Sequence, residues 1–170
     1  MATIAMRRTG SRLAWAGAVF FVLWGVLHLL AALTGVLGYV QNGPTGVLTA
    51  YGAAPPAEPG RLLALAGGIG LNYSLDLAGF GVLGIWVAVM IWRGQRMGLW
   101  LGAVVLGTAD AAFVLALVLP GYVPVADGFV GPLLYLLAVA FSAAGLLRKP
   151  VDGAASMARA RDAGPVAGRS

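Results

Sequence analysis

The sequence predicts an all-α, polytopic membrane protein: four transmembrane helices in one antiparallel bundle, with both termini in the cytoplasm. Three observations carry that prediction: long apolar runs, a scarcity of charge, and the way the basic residues are distributed. Of the 170 residues, 60% are hydrophobic and 10% charged. A soluble domain devotes about a quarter of its residues to charge. Mean hydropathy is +0.89. Apolar runs cover residues 13–40, 62–92, 97–119 and 129–147, each reaching the roughly 18 residues that a spanning helix needs. Backbone in lipid must be helix or closed barrel, and strict alternation of apolar and polar residues is missing, so helices are expected.

The first run follows Arg7, Arg8 and Arg12 and could pass for a secretory signal. It is longer than the roughly 7 to 15 residues of a signal core, so it reads as an uncleaved helix. The connection 41–60 is rich in Gly, Pro and Ala, and Pro55, Pro56 and Pro59 forbid a regular helix at its end, so a loop is expected there. Residues 61–70 either lengthen the second span, which then tilts, or lie along the interface. The short connection 120–128 makes spans three and four antiparallel neighbours, and Asp127 with Pro132 suits a helix start. Residues 1–149 thus form the transmembrane domain. Residues 150–170 read as a disordered basic cytoplasmic tail, because Gly, Ala, Ser, Arg and Asp there define no apolar face.

Orientation follows from the cations. Of 11 Lys and Arg residues, only Arg61 would lie on one side, with Arg93, Arg96, Arg148, Lys149 and the terminal arginines on the other. The positive-inside rule places the crowded side in the cytoplasm of a cell-membrane protein. Trp15, Trp92 and Trp100 then mark the inner boundary, and Tyr39, Tyr51 and Tyr122 the outer one.

The charge of +5 flanks the apolar runs and forms no basic block interleaved with aromatics, so no nucleic-acid partner is expected. With no cysteine there is no disulfide, thiolate nucleophile or iron–sulfur ligand. One histidine excludes bis-histidine haem. Ser11, Ser74 and Ser142 lack the context of a nucleophile elbow. His28, Asp76 and Asp110 have no metal-motif spacing, so no metal and no cofactor are expected.

Those three residues are nevertheless the chief functional candidates. An acid at the middle of a membrane helix costs roughly 2.5 to 3.5 kcal/mol on insertion scales and often marks a pathway or site. Counted from the cytoplasmic ends, His28, Asp76, Asp110 and Tyr135 lie about 18 to 24 Å into the membrane. Asn72 is one turn from Asp76 on the same face. Ala103, Gly107 and Ala111 recur beside Asp110, and small residues at that spacing allow close helix approach. On the first span Trp24, His28 and Gly35 share a side. These faces lead us to expect an interior polar cluster of His28, Asp76 and Asp110, with Asn72 and Tyr135 as supporting hydrogen-bond partners and Trp24 and Trp86 as packing.

Burial disfavours charge on both an acid and a histidine, whereas their mutual attraction favours it. Such a cluster can accept and donate protons, or hold a cation. The expected function is a permease-like protein with a proton- or cation-responsive intramembrane site. The alternatives are a non-catalytic accessory or structural subunit, in which the same groups join helices, and a membrane enzyme protonating a lipid or isoprenoid-like substrate. Enzyme activity is the less expected outcome. Partners beyond the lipid bilayer would be further copies of the chain or a larger membrane protein, since four spans provide few walls.

Overall fold

The computed structural model describes residues 2–53 and 60–147, with side chains from residue 12 onward. The expected tail at 150–170 and Pro55, Pro56 and Pro59 lie outside these residues. The described residues are helical apart from their turns, with no strand among them. The helices are α1 (Ala2–Ala50), α2 (Arg61–Trp92), α3 (Arg96–Leu101), α4 (Gly107–Phe113), α5 (Val125–Gly128) and α6 (Val130–Leu146). Two π-helical turns, Gly102–Leu106 and Val114–Val118, join α3 to α4 and extend α4 to complete the third span. Among the described residues, four helices are long and apolar enough to cross a membrane: Arg12–Ala50, Arg61–Trp92, Arg96–Val118 and Val125–Leu146.

The expected loop after residue 40 is replaced by something more ordered. Gly43 has φ 61° and ψ −149°, a conformation open essentially to glycine alone, and Pro44 follows it. There the chain reverses and becomes helical again over residues 44–50. The backbones of Gly38 and Gly46 press together, so this segment runs back along α1. It also advances beside α2: Pro44 meets Gly67, Val47 meets Gly70, and Tyr51 reaches Ser74. Val47 is fully buried. Gly46 and Val47 are the buried residues of this segment, and Thr49 is exposed. Tyr51, expected at the outer boundary, makes its hydrogen bond to Ser74 of α2.

Lipid tails are as apolar as leucine, so helices in a membrane associate by close packing rather than by escape from water. The α1–α2 contact shows how. A Cβ on Gly25 would stand 2.6 Å from Gly81 O, and one on Gly81 would stand 2.8 Å from Gly25 O, so the two backbones meet where neither residue has a side chain. Below that crossing lies an apolar core: Ala14, Ala18, Phe21, Val87, Ile91, Leu106 and Ala138 are buried there together with Trp24. Most of the polar side chains gather above it; Ser142, fully buried against Gly17 within the core, is the exception, and its hydroxyl has no partner among the described residues.

Candidate functional site

Asp110 lies between the two π turns of the third span and is only 5% exposed. Turns of this kind make up well under 1% of residues and concentrate at functional positions. The indole of Trp24, fully buried on α1, donates from Nε1 to Asp110 Oδ2 at 3.0 Å. One carboxyl oxygen is therefore committed as an acceptor. The other, Oδ1, is directed toward Gly131 of α6, where a built Cβ would lie 4.0 Å from it.

His28 approaches the same point. The Cβ built on Gly131 would lie 3.7 Å from His28 Cε1, so imidazole and carboxyl flank one stretch of bare α6 backbone. The ring stacks on Trp24 with centroids 3.7 Å apart. His28 Nδ1 lies 2.9 Å from the carbonyl oxygen of Trp24, one turn below. A carbonyl can only accept, so Nδ1 carries the proton, and in the neutral ring Nε2 keeps its lone pair. Among the described residues no direct hydrogen bond joins His28 to Asp110.

Tyr135 enters from α6, one turn from Gly131, and its hydroxyl donates to Ala103 O at 2.8 Å inside the first π turn. Gly107 leaves the space its ring occupies. Tyr135 also packs edge-on against Phe21, with centroids 6.5 Å apart. On the outer side, the re-entrant segment brings the Tyr51 hydroxyl to Ser74 Oγ at 2.8 Å. Ser74 donates to Gly70 O at 2.8 Å, so Tyr51 is the donor between the two hydroxyls. Tyr73 meets Tyr51 edge-on at 5.5 Å. Tyr51, Ser74 and Tyr73 thus form a small polar group where residues 44–51 pack on α2.

Asp76 stands apart from this assembly. It is exposed on α2, and its hydrogen bond comes from Asn72 Nδ2 at 3.0 Å, also exposed. Asn72 supports Asp76 rather than the interior site. Among the described residues no three His, Asp or Glu side chains gather as a metal would require. The structure therefore brings together His28 and Asp110 with Tyr135 nearby, and leaves Asp76 and Asn72 outside.

Four side chains at the site make contacts that the sequence alone did not foretell. Trp24 was expected only to pack, yet its N–H holds the buried acid. Tyr51, Tyr73 and Ser74 form the outer polar layer. The usable signal was the Gly43–Pro44 pair, a strong turn former whose sequel could have been followed inward. No family model matches the chain, and no curated protein or solved structure matches it either.

Proposed function

We propose that this chain is a small, permease-like integral membrane protein in which Asp110 and His28 form a proton- or cation-responsive interior site. The four long helices stand antiparallel in one bundle in the cell membrane, with both termini in the cytoplasm. Arg93 and Arg96, exposed between α2 and α3, support that orientation, as do the exposed indoles of Trp15, Trp92 and Trp100 at the same end.

One observation carries the functional reading: an acid 5% exposed in mid-span has one oxygen held by Trp24 and the other turned to a bare backbone surface shared with His28. Oδ1 can take a proton or face a cation while Oδ2 stays anchored, and His28 Nε2 can accept a proton without losing the Nδ1 bond. The inner half is packed by the apolar core, with Ser142 the one buried polar side chain in it among the described residues, whereas the Tyr51 and Ser74 hydroxyls lie toward the outer half. In this reading, Asp110 is reached from the outside, past Tyr51.

The test is proton flux into proteoliposomes loaded with a pH-sensitive dye. Wild-type vesicles should acidify faster than protein-free ones, and Asp110→Asn should lower the protein-dependent flux by at least about tenfold, since a buried ionisable group is removed. Equal flux from the two proteins would remove the role given to Asp110.

A structural-subunit reading has its own supporting observation. The Trp24–Asp110 bond ties α1 to the third span, and the Tyr135–Ala103 bond ties α6 to it, so the polar groups already join helices. Under that reading Asp110→Asn weakens thermal stability or partner assembly and leaves flux at the protein-free level in both proteins.

A further inference from the structure

We infer that the outward face of α2 carrying Asn72 and Asp76 is where two copies of this chain pack against each other. The other outward faces handle polarity differently. Thr34 returns its hydroxyl to Leu30 O at 2.9 Å, and Thr108 returns its own to Val104 O at 2.7 Å, so each is satisfied within its own helix. Their exposed neighbours include Leu30, Leu33, Val104 and Leu115, which suit lipid. Among the described residues, Asn72 and Asp76 have only each other. That bond leaves, among the described residues, one amide N–H, the Asn72 carbonyl oxygen and Asp76 Oδ1 without partners, in the middle to outer part of a membrane span. Asp76 is about 24 Å along the helix from Trp92 at 1.5 Å per residue. Ionisable groups at such depth almost always face protein or water.

The pair is self-complementary, and this points to a second copy as the occupant. It offers both an amide donor and carboxyl acceptors. A two-fold axis beside it sets each Asn72 amide against the partner's Asp76, matching every unpaired donor with an acceptor of the same kind of pair. A dissimilar partner would need its own matching polar pair at the same depth. The surface also permits close approach: a Cβ built on Gly68 or Gly79 meets nothing within 4 Å, while exposed Ile69, Leu75 and Val82 flank the polar pair with apolar contact area. This interface lies outside the interior site, so its failure leaves the role of Asp110 untouched.

The chain has no cysteine, which makes the test direct. Leu75→Cys places one thiol on this face, and Leu115→Cys places one on an exposed face of the third span. Both proteins are reconstituted alone at high lipid dilution and oxidised with copper phenanthroline. Leu75→Cys should give a cross-linked dimer and Leu115→Cys should remain monomeric. Adding Asp76→Leu to Leu75→Cys should lower the cross-linked fraction about tenfold, while adding Asp76→Asn, which keeps hydrogen-bonding capacity, should preserve it. Because Asp76 makes no hydrogen bond to another helix among the described residues, native thermal unfolding of Asp76→Leu should accompany that loss. The proposal is overturned if Leu75→Cys stays monomeric, if Leu115→Cys cross-links as readily, or if Asp76→Leu changes nothing.

Discussion

Asp110 and Asp76 are the same residue type at similar depth on neighbouring spans, yet their surroundings differ completely. Asp110 is enclosed, anchored by an indole and turned toward a histidine, on a span whose helical winding changes on either side of it. Asp76 lies on a regular helix, faces outward and, among the described residues, has only an asparagine one turn away. The comparison teaches that an acid in an apolar run announces a need for company without saying whether it comes from within the chain. Asp110 finds company inside; Asp76 must find it outside.

The largest expected effect on this contrast comes from the space between Asp110 and His28. Gly131→Ala would put its Cβ at ordinary contact distance from both, 3.7 Å and 4.0 Å, and should leave proton flux nearly unchanged. Gly131→Leu fills the gap and should lower flux by about tenfold, as misplacing reacting groups does. If both variants behave like wild type, the Oδ1 side of Asp110 is not the working side.

The next effect concerns anchoring. Trp24→Phe keeps most of the ring but removes the donor to Asp110 Oδ2, and leaving a buried acceptor unpaired costs about 1 to 3 kcal/mol. A clear drop in thermal unfolding temperature in detergent is expected. Trp86→Phe, altering an exposed ring, is the control and should stay within about 0.5 kcal/mol of wild type. Equal effects would mean that the indole bond does not distinguish Asp110 from its surroundings.

A smaller effect probes the outer layer. Tyr51→Phe removes the hydroxyl bonded to Ser74 and should cost about 0.5 to 1.5 kcal/mol. Hydrogen exchange in residues 44–50 should quicken more than in α6. Uniform exchange across both segments would sever the link between the tyrosine hydroxyl and the re-entrant turn.

The helices were legible because lipid leaves the backbone so few choices: apolar runs of spanning length must be helical. The direction in which the second span turns its polar face was not. Asn72, Asp76 and Gly79 share a side, as their spacing requires, but α2 carries glycines on both sides. Gly67, Gly81 and Gly84 are buried, whereas Gly68 and Gly79 are exposed. Small residues alone therefore could not tell inside from outside. On the third span the glycines were less ambiguous, since Gly98, Gly102 and Gly107 all have neighbouring side chains or backbone close by, and Asp110 follows their side. The reversal at Gly43 was half legible. Gly and Pro announce a turn, but the inward course of residues 44–51 depends on Gly38, Gly67 and Gly70 giving room, a tertiary match that no local pattern displays.

The central claim is that the two acids do different work, and one measurement addresses it directly: proton flux in parallel proteoliposome preparations of wild type, Asp110→Asn and Asp76→Asn. The account predicts that Asp110→Asn loses the protein-dependent flux while Asp76→Asn stays within about twofold of wild type, because only the buried acid lies on the interior path. Equal loss in both variants, or undiminished flux in Asp110→Asn, would contradict it.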